Sequence, residues 1–212
     1  MMAGWHSLGM ADQIPERFLL CHFSGGTSDI LLAQKEEVGR YSLDLKAFGN
    51  DLHAGQFVDR IGVLMGLRFP CGTELEKLAM GHNGDIPNVK IWVKDGEFSF
   101  SGQETAIRRM YESGVPAETV ARTVEHTIAR TMRKVFEQLF KTTGIRTVLL
   151  AGGVMCNGYI KNYLREHLKN ADLYFADPRY ASDNAVGVAA LALQRWGGMK
   201  HDVSGSIGQP TE

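Results

Sequence analysis

No run in the 212 residues approaches the ~20 consecutive apolar side chains that a membrane span requires. The amino end, Met1-Met-Ala-Gly-Trp-His-Ser-Leu-Gly-Met10, also lacks the charged start and long apolar centre of a signal peptide. No membrane partner is expected. Cysteine is scarce: Cys21, Cys71 and Cys156 are an odd, widely spaced set of three without a CxxC pair. That excludes a disulfide framework and a zinc ribbon and fits a reducing compartment, so the expected location is cytoplasmic. Excess charge of one sign is missing too, since the formal net charge is -1, which excludes a globally basic, nucleic-acid-coating surface and leaves room only for a local patch. The seven histidines form neither HxxxH nor HExxH, so the chain holds no self-contained metalloprotease or zinc site. A GxSxG nucleophile elbow, a Walker loop and a complete GxGxxG are likewise absent.

What remains is the composition of an ordinary globular protein, 44% hydrophobic and 22% charged, in a length suited to one generous domain or a domain and a half. Its organising stretch is Arg146-Thr-Val-Leu-Leu-Ala-Gly-Gly-Val-Met-Cys-Asn157, where an apolar run meets two glycines and then turns polar. Val148 to Ala151 have the bulk of a strand covered on both faces, as in a parallel sheet between helices. Gly152-Gly153 permits a sharp turn, and the residues from Asn157 onward predict an amphipathic helix with Ile160, Tyr163, Leu164 and Leu168 inward. Ligands commonly settle at a strand, glycine turn and helix of this kind, although tight packing alone also calls for small residues there.

Taken in order, residues 1–16 are glycine-containing and aperiodic and read as the remnant of a segment joining two lobes, with the end of a helix as one form it can take. Arg17 to Phe23 and Thr27 to Ala33 are apolar runs parted by Ser24-Gly25-Gly26, which predicts a β-hairpin with positive φ at its glycines. A third strand follows at Arg40 to Lys46, and Asp51 to Leu67 carries Leu52, Phe57, Val58, Ile61, Leu64 and Met65 at helical spacing. A short helix runs through Leu75 and Leu78, Val89 to Phe100 reads as irregular or weakly extended, and Gly102 to Tyr111 reads as helical. Pro116 sits where a first-turn proline belongs; Val120, Val124, Ile128, Met132, Val135 and Leu139 then predict one long core helix toward Thr142. Arg122, Arg130, Arg133, Lys134 and Lys141 on its other side read as a solvated face. Asp172 to Phe175 is a last strand, Ser182 to Trp196 a last helix, and the Gly- and Ser-rich tail from 197 to 212 is expected to fray. An antiparallel meander followed by parallel αβ units predicts an α/β lobe, ribonuclease H-like, with a mixed sheet and helices on both faces over 17–196.

The candidate chemistry lies at connections, where α/β folds display function. Ser24-Gly25-Gly26-Thr27 can aim consecutive backbone N–H groups at a phosphate, or be a plain hairpin. Asp59, one turn after Gly55, can hold a hydroxyl-bearing group or simply pair with Arg60 or Arg68. Ser182-Asp183-Asn184 opens the last helix, where capping accounts for all three, yet Asp183 can equally ligate a hard cation beside phosphates.

As a set these motifs are familiar. Ser24-Gly-Gly-Thr27, Ala54-Gly-Gln-Phe-Val-Asp59 with Gly66-Leu-Arg-Phe-Pro-Cys-Gly72, Phe98-Ser-Phe-Ser-Gly102 with Thr105, Ala151-Gly-Gly-Val-Met-Cys-Asn157 and Asp183-Asn-Ala185 stand in the order of one family. The chain resembles the tRNA threonylcarbamoyladenosine transferases, formerly called O-sialoglycoprotein endopeptidases or glycoproteases, over about residues 18 to 195. The likeness is nearest to a divergent bacterial branch with an SGGT hairpin and an AGQxVDR helix. It implies the actin-like ATPase fold of two ribonuclease H-like lobes. It also implies that Ser24, Gly25 and Gly26, with His22 and Phe23 before them, contact the phosphate-bearing part of an adenylate. Asp59, Gly72 and Asn157 would line the nucleotide or substrate site, and Asp183 would ligate a divalent metal (Fe, Zn or Mg). The implied reaction transfers a threonylcarbamoyl group from threonylcarbamoyl-adenylate, made with ATP, to a tRNA adenosine amine, the metal polarising the carbonyl.

The departures carry expectations of their own. The family's HxxxH metal ligands are not found here, Gln56 and Cys71 replace Glu and Gly, and Gln103-Glu104 replaces Leu-Lys, reversing a charge that could face tRNA. The expectation is therefore the carboxyl-terminal lobe alone, holding half of an adenylate and metal site and inactive without an amino-terminal lobe or paralogous subunit; tRNA would bind through the full-length protein. The alternatives are a non-catalytic scaffold subunit of a tRNA-modification complex and a lobe of another actin-like ATPase or kinase.

Overall fold

The computed structural model describes residues 1–10, 13–37, 40–177, 179, 188, 189 and 192. The last helix expected over Ser182 to Trp196, the tail and the candidate metal ligand Asp183 lie outside the described residues, apart from the three isolated positions named.

Three meandering strands come first, as the turn signals require: β1 (Arg17–Phe23), β2 (Ser28–Glu37) and β3 (Arg40–Gly49) pair antiparallel in sequence. Two further strands, β6 (Thr147–Ala151) and β7 (Asp172–Phe175), add in parallel beside β1, with Leu20 opposite Leu149 and His22 opposite Ala151. On the far side, β4 (Trp92–Lys94) and β5 (Glu97–Ser99) form a small hairpin whose β5 runs parallel to β3. The seven-stranded order is β4-β5-β3-β2-β1-β6-β7. The β4–β5 hairpin is the extended form of the stretch Val89 to Phe100, expected as irregular or weakly extended. It is built on Asp95-Gly96, both at positive φ, the dipeptide that two-residue hairpins favour.

Alternation along the strands sorts side chains to two cores. Leu19, Cys21, Phe23, Ile30, Val148 and Leu150 face the larger one. Five helices contribute to that core: α2 (Ala54–Leu64), α3 (Gly72–Ala79), α4 (Ser101–Glu112), α5 (Ala117–Thr143) and α6 (Gly158–His167). Phe18, Leu20, Ala33 and Leu149 face the other way, where α1 (Met2–Ser7) buries Trp5 edge-on against Phe18 at 5.1 Å. The expected aperiodic amino end thus includes a helix with a fully buried tryptophan. Its second core thins toward β3, where Leu43 and Leu45, paired with Ala33 and Leu31, are half exposed.

α5 is the principal core helix, ended by Gly144 in the left-handed conformation. Its basic side chains are less free than a solvated face implies. Arg122 donates to the Ala79 carbonyl and lies 4.2 Å from the Tyr159 ring centre, Arg130 donates to Asn88, and Arg133 pairs with Glu137. α2 begins at Ala54 rather than Asp51, because the Asp51 carboxylate accepts from the Leu52 and Phe100 amides and the Ser99 hydroxyl and so serves the turn. Burial pushes that carboxyl up, yet these bonds together hold it below the usual range.

Candidate functional site

β1 and β6 run parallel, so the connections leaving their carboxyl ends emerge side by side, the usual ligand position in such sheets. After β1 the loop Ser24 to Thr27 closes with the Ser24 amide donating to the Thr27 carbonyl at 2.8 Å. Neither Gly25 nor Gly26 is at positive φ, contrary to the hairpin expectation. A four-residue loop, closed here also by the Gly26 amide donating to Ser24 Oγ at 3.3 Å, needs no left-handed residue. After β6, Gly152 is the left-handed glycine (φ 98°), and a Cβ there would overlap the Phe23 carbonyl. On the other side Gly55, in the first turn of α2, donates to the Ser24 carbonyl at 3.0 Å, and a Cβ would come within 2.6 Å of Ser24 and Gly25. The Ser-Gly-Gly loop is therefore gripped between two bare backbones. Gly25 and Gly26 themselves have open space around them.

Beneath this loop lies a cavity of about 390 Å³ that Ser24, Gly25, Asp59, Gly72 and Asn157 all line. Residues expected from three separate motifs thus converge on one space. Its walls are apolar, from Val58, Leu75, Ile128, Val154 and Ile160, and two carboxyl groups that sequence reasoning missed, Glu76 and Glu125, join the lining. Asp59 pairs with neither Arg60 nor Arg68. Its Oδ1 accepts the Cys71 amide at 2.7 Å, tying α2 to the loop before Gly72, while Arg68 pairs with Glu74. Cys71, in the position of the family's glycine, is buried and packs against Gly62, where any Cβ would overlap it.

Asn157 caps α6 by accepting the Ile160 amide at 2.9 Å and donates through Nδ2 to Glu125 Oε1 at 2.6 Å. The other oxygen of Glu125 pairs with Arg122 at 2.5 Å, and Glu76 accepts the Gly158 amide at 2.7 Å. Burial pushes the Glu125 carboxyl up to about 7, assisted by Glu76 and opposed by Asn157 and Arg122. The signal for Glu125 was present in the sequence: with Ala121, Ile128 and Ala129 it lies on the buried side of α5, where an acidic residue is out of place.

His22 and Phe23 stand apart from the cavity. Phe23 is fully buried and stacks on Phe98 at 5.5 Å, while His22 follows the strand alternation to the opposite face beside Asp29. Burial and the nearby Met1 amino group lower the His22 pKa, and Asp29 opposes them. Glu104 is buried and pairs with Arg108, so its charge does not face solvent. Among the described residues no three His, Cys, Asp or Glu side chains converge as a metal site, so these residues do not by themselves make the implied metal's donor set.

A ribonuclease H-like sheet with the Ser24 to Thr27 loop and an adjoining cavity at its carboxyl edge defines a lobe of the actin-like ATPase fold. The chain covers 90% of itself on full-length HypF in its phosphate- and nucleotide-bound form, with a TM-score of 0.69, 16% identity and 35% of that protein spanned. It also superposes, at a TM-score of 0.57 and 16% identity, on the ADPNP-bound activator of 2-hydroxyisocaproyl-CoA dehydratase from Clostridium difficile, covering 99% of itself and 70% of that chain. The family model of TsaD, tRNA N6-adenosine threonylcarbamoyltransferase, matches residues 4–190, and the chain belongs to that family. A Thermus thermophilus tRNA N6-adenosine threonylcarbamoyltransferase is 34% identical over 186 residues, 86% of this chain and 55% of that protein. The chain thus spans about half the length of the curated relatives it matches.

Proposed function

We propose that this chain is the carboxyl-terminal lobe of a threonylcarbamoyl transferase-like protein and supplies half of an adenylate- and metal-binding site. The observation that carries the reading is the convergence of Ser24, Gly25, Asp59, Gly72 and Asn157 on one cavity at the carboxyl ends of β1 and β6. The Gly25 and Thr27 amides, which the bonds closing the loop leave unused, would receive phosphate, as in other backbone anion sites, and the cavity beside it would receive the nucleoside. Asp59, whose Oδ1 is fixed by the Cys71 amide, offers its carboxylate to hydroxyl groups of the ribose. Asp183 remains the proposed metal ligand of this lobe. His22 and Phe23 would act on the phosphate loop from behind, Phe23 by anchoring the strand that presents it.

On this reading an amino-terminal lobe or a paralogous subunit supplies the remaining half, tRNA binds through the assembled protein in the cytoplasm, and the isolated chain has no transferase activity. No helix among the described residues is long and apolar enough to cross a membrane. Calorimetric titration with ADP and Mg²⁺ tests the nucleotide half of the proposal. Saturable binding that weakens at least about tenfold in Asp59→Ala, by loss of a hydrogen bond to a charged group, is expected. Absence of binding by the intact, folded chain would overturn it.

A further inference from the structure

The two polar groups at the end of the cavity are set in one orientation by their neighbours. The Ile160 amide occupies Asn157 Oδ1, which fixes the side-chain amide so that Nδ2 faces Glu125. Arg122 occupies the second oxygen of Glu125 while also holding the Ala79 carbonyl and lying over the Tyr159 ring, so three helices fix the carboxyl group from behind. Among the described residues, one N–H of Asn157 and one lone pair of Glu125 Oε1 are left over. Their heavy atoms are 2.6 Å apart, and both residues line a cavity where aliphatic side chains stand beside the polar Ser24, Asp59, Thr73 and Glu76.

A fixed donor beside a fixed acceptor, in a cavity with a largely aliphatic lining, matches the edge of one base. Adenine presents an exocyclic N–H donor next to a ring-nitrogen acceptor, the pattern that side-chain amides read on nucleic acids. Hypoxanthine has the same shape and places a carbonyl where adenine has its amine, so it would set an acceptor against the Glu125 oxygen. We propose that Glu125, held by Arg122 and acting with Asn157, determines specificity for a 6-aminopurine in this cavity by accepting the exocyclic amine. The inference rests on the adenylate reading of the cavity and goes beyond it, because a nucleotide site need not discriminate the base.

The test is calorimetric titration of the chain at pH 8, where Glu125 is ionised and acts as an acceptor, with ADP and, separately, with inosine 5′-diphosphate, repeated on Glu125→Ala and Glu125→Gln. Glutamine keeps the shape but has one acceptor oxygen for three donors: Arg122, Asn157 and the ligand amine. The intact chain is expected to prefer ADP by about tenfold or more, the discrimination of a matched donor–acceptor pair. In either variant the ratio is expected to fall to within about threefold, with circular dichroism confirming the fold. Equal affinity of the intact chain for both nucleotides overturns the proposal and leaves the adenylate site standing. A preference retained in Glu125→Gln overturns it as well, whether or not Glu125→Ala folds. Failure of the intact chain to bind either nucleotide overturns the adenylate reading and this inference with it.

Discussion

Glu125 carries a stability signature of its own. Burial raises its carboxyl from 4.5 to about 7. Between those values the folded chain holds a proton that the unfolded chain has released, so its contribution to stability falls as pH rises through this window. The full swing is on the order of 3 kcal/mol. His22 and His126, whose pKa values burial lowers, act in the opposite direction and are common to any Glu125 variant. Urea unfolding of the wild type and Glu125→Gln across pH 5 to 8 is therefore expected to show the wild type losing stability relative to the variant as pH rises. A pH-independent difference would contradict the raised carboxyl. Gly152 is the second residue whose role is sharply defined. Its φ of 98° and the Phe23 carbonyl where a Cβ would lie predict a loss of about 3 kcal/mol or more for Gly152→Ala. Gly153→Ala, with open space and no left-handed φ, is expected to change stability by less than about 1 kcal/mol. Equal costs at the two positions in chemical denaturation would show that backbone conformation is not what Gly152 supplies.

At the scale of elements, α1 is the test of how far a short helix can belong to a core. Trp5 is fully buried between Phe18 and Tyr174, at 5.1 and 5.0 Å, so Trp5→Ala is expected to cost about 3–5 kcal/mol in urea unfolding. Its indole N–H has no hydrogen-bond partner among the described residues, so Trp5→Phe is expected to cost much less. A negligible effect of Trp5→Ala would mean that α1 docks without supporting the sheet. The sequence offered this helix only as one reading of an aperiodic end, because six residues give no period to read. The β4–β5 hairpin was missed for a related reason: three-residue strands carry too little alternation, and only the Asp95-Gly96 turn marked them. By contrast β6, α5 and α6 were readable. A fully apolar run, a long stripe of apolar residues and an asparagine cap are each enforced by burial or by an unsatisfied amide, as the Ile160 amide bond to Asn157 illustrates.

For the whole molecule, the candidate motifs lie far apart along the chain, and the sheet explains why they meet. Parallel β1 and β6 bring Ser24 and Asn157 to one edge although more than a hundred residues separate them, and Gly55 and Asp59 reach the same edge because α2 docks on the loop after β1. Glu76 was hidden because a carboxylate on a helix normally faces water and only tertiary packing turns it toward the cavity, whereas Glu125 left a signal as an acidic residue on the buried side of α5. On the proposed reading, ligand binding would tie this edge into the stability of the lobe, since a nucleotide that occupies only the folded state stabilises it by about 2.7 kcal/mol at a hundred times its Kd. A rise in unfolding free energy with ADP is therefore expected for the chain, and a smaller rise for Asn157→Ala at the same ADP concentration, because that side chain both caps α6 and faces the ligand. If the chain supplies half of the site, that stabilisation will come without turnover. With threonylcarbamoyl-adenylate and tRNA, product is expected only after the complementary lobe is added. Robust turnover by the 212-residue chain alone would sink the half-site reading while leaving the nucleotide cavity in place.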